Sequence, residues 1–260
     1  MLLESIVRQK NQEVAAERAV LPLAALKKVA ASRAPALDFV SALKGVGVSI
    51  IAEIKKASPS RGIIRADYDP AAIARLYSRS GAAAISVLTE KVYFQGRLEH
   101  MELVKKTLAK PLPVLRKDFI FSAYQLYQSR AAGADAVLLI AAILPPSRLK
   151  ELVRLCRTLG MAALVEVHDI GEIDAALESG ARVIGINNRN LDSLEVNLET
   201  TFKLMPLIPR DRLVVSESGI RRRSDIELME EWGVDACLVG EALMASADIP
   251  AALGALLGKN

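Results

Sequence analysis

The 260-residue chain is 52% hydrophobic and 25% charged, with 4% aromatic residues and a formal net charge of +4. A core of Ala, Leu, Ile and Val suits a parallel sheet buried on both faces by helices, and the length fits one α/β barrel of about 250 residues. No run reaches about 18 uncharged apolar residues, residues 1–19 are too charged for a secretory signal, and no Lys/Arg stripe interleaved with aromatics marks a nucleic-acid surface, so a cytoplasmic protein without membrane or nucleic-acid partners is expected.

The chain opens on a helical stripe of Leu3, Ile6, Val7, Lys10 and Val14. Leu23 to Leu26 and Phe39, Val40 and Leu43 suggest further short helices. This N-terminal helical extension, 1–43, is expected to cap the barrel bottom or frame a site. With the barrel over 44–260 it makes one domain, 1–260.

The run from Ile50 to Ser60 follows. Alternation along a strand puts Ile51, Glu53 and Lys55 on one side and Ala52, Ile54 and Lys56 on the other. Adjacent charges ending an apolar strand are costly unless paired or used, so alone Glu53 and Lys55 read equally as a structural ion pair. Ser58-Pro59-Ser60 then stops the strand and supplies hydroxyls.

Downstream, four similar segments each place a glycine to end a helix before an apolar strand: Gly81, Gly133, Gly180 and Gly233. They lie roughly fifty residues apart, room for two βα units of about 25–30 residues each. Strands at 112–115, 162–165 and 213–215 fall in the gaps, and 49–54 leads them. Helical patterns over 70–80, 96–109, 122–132, 146–159, 169–179, 198–207, 224–232 and 249–257 separate or follow the strands. Eight βα units predict an α/β fold of the (β/α)8 TIM barrel type, with a doubly wound open sheet as the competitor.

Such barrels build their site at the C-terminal strand ends. Those ends carry Glu53 and Lys55; Lys117-Asp118-Phe119; Glu166; Asn187 and Arg189; Glu217-Ser218-Gly219; and Gly240-Glu241. Two lysines with two glutamates suit general acid–base chemistry, and burial would bring both types toward neutrality. Asn187 can orient a hydroxyl, and Arg189 suits a carboxylate. Ser218-Gly219 and Gly240-Glu241 follow strands seven and eight, where phosphate is commonly held. At Glu241 the backbone N–H, not the carboxylate, is the useful group. His100 and His168 lie far apart; His168 could reach the rim, but a surface or helix-capping role is expected. Cys156 and Cys237 lack metal-type spacing and read as small buried hydrophobes. No metal and no cofactor are expected.

In their order, the segments Ile51-Ala52-Glu53-Ile54-Lys55 with Ser58-Pro59-Ser60, Leu88-Thr89-Glu90 with Tyr93-Phe94, Arg116-Lys117-Asp118-Phe119, Val165-Glu166-Val167, Ile184 to Leu191, Ser216-Glu217-Ser218-Gly219-Ile220 and Val239 to Met244 resemble the indole-3-glycerol phosphate synthase family. The resemblance spans nearly the whole chain. It implies ring closure of 1-(2-carboxyphenylamino)-1-deoxyribulose 5-phosphate with loss of carbon dioxide and water, by a carboxy-lyase of tryptophan biosynthesis acting on a small phosphorylated substrate; apart from the resemblance, a monomer is expected, with an oligomer as the alternative.

By that resemblance Lys117 is the general acid, and Lys55 holds the substrate carboxylate or phosphate and serves in dehydration. Glu166 is the later acid/base, and Glu53 positions Lys117 or stabilises charge on nitrogen. Asn187 holds a hydroxyl, and Arg189 with Ser58 takes the anthranilate carboxylate. Ser218, Gly219, Gly240 and Glu241 cradle phosphate, while Phe94, Phe119 and Leu138 wall the aromatic ring. The rival readings are a phosphoribosylanthranilate isomerase-like barrel, whose first strand typically ends in a catalytic cysteine absent here, a Schiff-base aldolase and a non-catalytic phosphate-metabolite binder.

Overall fold

A computed structural model describes residues 2–191 and 193–259; Met1 and Asn260, the ends of the expected domain, lie outside them. Among the described residues eight parallel strands close a barrel: β1 (Ser49–Ile54), β2 (Ala84–Leu88), β3 (Val114–Lys117), β4 (Ala136–Ile140), β5 (Ala162–Val167), β6 (Val183–Asn187), β7 (Leu213–Glu217) and β8 (Ala236–Val239). Closure comes from β1, which pairs with β2 on one edge and β8 on the other. The fold is a TIM barrel with an N-terminal helical extension. That extension is α1 (Leu2–Val20), α2 (Leu23–Ser32) and α3 (Phe39–Ala42). The outer ring is α4 (Pro70–Ser80), α5 (Leu98–Thr107), α6 (Ala123–Ala131), α7 (Pro146–Thr158), α8 (Ile170–Glu178), α9 (Glu199–Leu204) and α10 (Arg223–Glu231), followed by α11 (Glu241–Met244) and α12 (Ile249–Leu256). No described helix is long and apolar enough to cross a membrane.

Local chemistry sets the helix ends. Asp69 caps α4 through the N–H groups of Ala71 and Ala72, with Pro70 in the first turn and Gly81 leaving the helix at φ +98°. Ser122 and Gln125 form a reciprocal capping box on α6.

Period-two alternation sorts each strand onto two cores. Ile50, Ala52 and Ile54 face the helices, as do Ile85, Val87, Val137, Leu139, Val165 and Val167. Ile51, Ala84, Leu115, Ala136, Leu138, Leu164, Val183, Val215 and Ala236 fill the interior, and Phe39, Val40 and Leu43 close its bottom. The inward parity continues upward into polar residues: Ile51 to Glu53, Leu115 to Lys117, Leu164 to Glu166, Val215 to Glu217. The apolar layers are thus the floor of a charged mouth.

Three strand ends differ from expectation. The strands expected at 112–115, 162–165 and 213–215 end instead at Lys117, Val167 and Glu217. Their charged residues point inward, find partners across the barrel and keep the ladder going. Pro111 and Pro113 delay the start of β3. Ser58 does not simply stop β1, since Ala57–Ser58 pairs antiparallel with Gly62–Ile63 in a short ribbon. The helix expected over 198–207 breaks into α9 and a 3-10 turn at Met205–Leu207 that contains Pro206.

The extension does both jobs considered for it. While α3 plugs the bottom, α1 lies across the mouth, its Leu2, Leu3 and Ile6 lining the cleft there. Its anchor is Lys10, only 2% exposed, whose ammonium lies 2.8 Å from Glu13 and 3.1 Å from Asp118. Asp118 is also held by Arg116 at 2.9 Å and by the Thr89 hydroxyl at 2.6 Å. Burial pushes the Asp118 carboxyl up, but Arg116 and Lys10 outweigh it and hold it at about 2. Lys91 pairs with Glu13 and Glu17 at 2.7 Å each, tying α1 to the loop after β2.

Lys10→Ala leaves Asp118 with one cation instead of two. Its expected cost is about 2 kcal/mol, below the ~3–5 kcal/mol of an orphaned buried charge because Arg116 remains; urea unfolding of the variant measures it. The Asp118 carboxyl is depressed on folding, so its contribution is full above the ordinary carboxylate range and is lost as pH falls through about 2.

Candidate active site

The residues given catalytic or binding roles by the resemblance all line one cleft, open to solvent at the C-terminal end of the barrel. Glu53, Lys55, Lys117, Glu166 and Asn187 form the base. Phe94, Phe119 and Leu138 give one apolar wall, with the two phenylalanine rings 6.4 Å apart and tilted by 41°. Ser58, Arg189, Ser218, Gly219, Gly240 and Glu241 stand on the rim.

The base is a compact ion cluster. Lys117 Nζ lies 2.5 Å from Glu217, 3.6 Å from Glu166 and 4.0 Å from Glu53, while Lys55 Nζ lies 2.7 Å from Glu53. These positions correct the expectation that burial brings lysine and glutamate toward neutrality. Burial does oppose the Lys117 charge, but the Glu217, Glu166 and Glu53 carboxylates outweigh it and hold the ammonium well above the ordinary lysine range. Burial likewise pushes Glu53 and Glu166 up, yet Lys55 and Lys117 hold Glu53 down, and Lys117 with His168 hold Glu166 down. Only Glu217 moves the expected way. Burial, with Glu166 and Glu53 nearby, overcomes Lys117 and pushes it up to about 7.

Two glycines make this packing possible. A Cβ at Gly185 would run into Glu217 Oε1, and one at Gly240 would run into Glu53 Oε1. Both glycines face inward, where their missing side chains leave space for the carboxylates of neighbouring strands. For Gly240 this is a packing reason beyond the close backbone approach to a phosphate expected from sequence.

The rim has its own balance. After β7, Ser218 and Gly219 turn through φ +67° and +91°. A non-glycine residue there is strained, and Asn188 fixes it by donating to the Ser218 carbonyl at 3.0 Å. The Glu241 side chain is not idle. Its carboxylate lies 3.3 Å from Arg61, 3.8 Å from Arg189 and 3.9 Å from Arg221, joining three loops. Arg189 also donates to the Leu194 carbonyl at 2.9 Å. Glu90 accepts from the backbone of Val92, Tyr93 and Phe94 at 2.7–3.0 Å, folding the loop that presents Phe94.

Sequence reasoning missed several members. Glu217 was seen at a strand end without a role, although it lies two residues above the inward Val215. His168 is no surface or capping residue: its ring lies 3.2 Å from Glu166 and 3.3 Å from Glu172. Its signal was parity with Glu166 and the i, i+4 spacing to Glu172. Arg61 had no signal, since a loop arginine is normally solvated. Asp118 contributes no free carboxylate, being bound by Lys10, Arg116 and Thr89.

The family model described as indole-3-glycerol phosphate synthase matches residues 3–256. An indole-3-glycerol phosphate synthase from Dehalococcoides mccartyi (strain CBDB1) is 52% identical over 259 residues, covering 99% of this chain and 100% of that one. One from Albidiferax ferrireducens is 51% identical, covering 98% and 97%. Among solved structures, thiamine phosphate pyrophosphorylase from Pyrococcus furiosus superposes with a TM-score of 0.62 at 17% identity, over 83% of this chain and 96% of that one. A mutant tryptophan synthase alpha-subunit from the hyperthermophile Pyrococcus furiosus gives 0.60 at 14% identity, over 81% and 98%. At those identities the structures speak for the barrel alone.

Gly185→Ala is expected to lower stability by about 1–3 kcal/mol by overpacking Glu217. Adding Glu217→Ala should restore part of that loss, a non-additivity that denaturant unfolding of the two single variants and the pair detects.

Proposed function

The chain belongs to the indole-3-glycerol phosphate synthase family, and from that premise we propose how the cleft closes the indole ring. The observation that carries the proposal is a partly buried ammonium, Lys117, ringed by three buried carboxyl groups beneath an apolar wall. The substrate is 1-(2-carboxyphenylamino)-1-deoxyribulose 5-phosphate. Phe94, Phe119 and Leu138 hold its aromatic ring over the ketone carbon, so that much of the entropic cost of ring closure is met on binding. Arg189 and Ser58 receive the anthranilate carboxylate. Ser218, Gly219, Gly240 and the backbone of Glu241 receive the phosphate, and Asn187 a hydroxyl.

As the aryl carbon attacks the ketone, negative charge grows on the former carbonyl oxygen. Lys117 stabilises it as a fixed cation and passes its proton, because an alkoxide is a stronger base than an amine. Glu53 offsets positive charge on the anilino nitrogen. Carbon dioxide then leaves from the aryl carbon that made the new bond, and the pair of the broken C–C bond restores the aromatic ring. Lys55 then assists departure of the hydroxyl as water, and Glu166 takes the proton whose loss completes the indole. The overall change is that of a carboxy-lyase. The proposal places this step of tryptophan biosynthesis in the cytoplasm, run by a monomer.

The charge state of Lys117 favours this reading over a Schiff-base aldolase, which needs a neutral amine. The end of β1, where a phosphoribosylanthranilate isomerase would carry cysteine, holds Glu53 and Lys55.

Lys117→Ala is expected to retain the fold and lose about 10²–10⁴-fold in kcat, the span of a general acid. Indole fluorescence formed from the anilino-ribulose phosphate measures it. Turnover at the wild-type rate would remove Lys117 from the mechanism, and absence of indole with the wild-type chain would remove the synthase reading.

A further inference from the structure

Counting charge at the base of the cleft leaves a deficit. Among the described residues three buried carboxyl groups, Glu53, Glu166 and Glu217, face the ammoniums of Lys55 and Lys117, and even with Glu217 partly protonated near neutrality Glu166 has no cation of its own among them. Lys55 is committed to Glu53 at 2.7 Å and Lys117 is closest to Glu217 at 2.5 Å, so Glu166, at 3.6 Å from Lys117, has only a shared counterion. A buried carboxylate without a full partner would take up a proton.

The missing cation lies on the far side of Glu166. Two residues beyond it, His168 Nε2 sits 3.2 Å from Glu166 Oε1, and His168 Nδ1 sits 3.3 Å from Glu172 Oε2. The Nε2 contact is off the axis of a good hydrogen bond and is an ion-pair contact. Glu172 Oε2 also accepts the His168 backbone N–H at 2.8 Å, which fixes the ring on α8. A neutral imidazole has one N–H and one lone pair. Here both nitrogens lie within 3.3 Å of carboxylate oxygens, so either neutral tautomer sets a lone pair beside an anion. Only the imidazolium suits both neighbours. Asp169 is next in the chain, and Lys117 stands behind Glu166. Burial would discharge the ring, but Glu166 and Glu172 outweigh it and push His168 up to about 10.

Resting on the synthase reading for its kinetic consequence, we propose that His168 is a positioning residue: an imidazolium clamped between Glu172 and Glu166 that supplies a cation beside the ion cluster of Lys55 and Lys117 and keeps Glu166 ionised and turned toward Lys117. A carboxylate kept in this way is ready to accept a proton at neutral pH. Glu172 acts one step further out, holding the ring in place.

The clamp is tested first without substrate. The chain has two histidines, so ¹⁵N spectra of the full-length protein, with His168→Gln for assignment, resolve them. His168 should keep both ring nitrogens protonated at pH 8. His100, lowered by burial and by Arg97, should lose its charge below the ordinary histidine value. A neutral His168 at pH 8 overturns the proposal.

Kinetics then test the role. In His168→Gln, kcat should fall about tenfold with KM changed less than about twofold, and the acid limb of kcat/KM should move up by about one pH unit. Glu172→Gln should move that limb the same way by less, and serves if His168→Gln does not fold. An acid limb unmoved in both variants overturns the positioning role even if the imidazolium is present. If the wild-type chain forms no indole, the synthase reading fails, while the ¹⁵N result still decides on the clamp.

Discussion

Like charges gathered around one ammonium constrain the rest of this structure. Barrel closure brings Glu53, Glu166 and Glu217 from three strands to the same depth, and Lys117 is the cation they share. Carboxylates so close would repel or protonate if the lysine were absent or displaced. The neighbouring features follow from keeping it in place. Lys55 takes part of the load from Glu53, His168 is placed to relieve Glu166, and Gly185 and Gly240 leave the volume the carboxylates occupy.

The extension is connected to this cluster along the backbone. Lys10 of α1 grips Asp118, the residue after Lys117, while Lys91 joins α1 to the loop that carries Phe94. Thus one helix is fastened both to the end of the strand bearing the proposed acid and to the loop bearing the apolar wall. Its own Leu2, Leu3 and Ile6 complete the cleft. Loss of its docking would loosen the wall and the strand end together; the buried Lys10 is tolerated on α1 because Glu13 and Asp118 both pair with it.

Much of this was legible in the residues. Four repeated Gly-then-apolar segments, with the strands in their gaps and the one ahead of them, made up the eight units; parity set Glu53 beside Ile51 and Lys55, and Lys117 and Glu166 were found as strand-end residues. Legibility failed where a local rule met a partner from elsewhere. Strands were ended too soon at Lys117, Glu166 and Glu217 because a charge reads as a stop unless its countercharge across the barrel is known. Lys117 was expected to drift toward neutrality because burial is visible in a sequence whereas three converging carboxylates are not. His168 was read as a surface or helix-capping residue because its spacing to Glu172 fits an exposed helix end equally well, and only the fold brings Glu166 to the other side of the ring. Arg61 and the Glu241 side chain meet only through loops whose course the sequence does not dictate.

The central claim is that in the substrate-free chain Lys117 is held as an ammonium by its carboxylate ring. It is tested most directly by ¹⁵N NMR titration of the Lys117 ammonium in the substrate-free chain, assigned by its loss in Lys117→Met. The account requires the resonance to remain that of an ammonium as pH passes the ordinary lysine value of about 10.5. Loss of the proton below that value would contradict it, leaving burial as the dominant influence on the proposed acid.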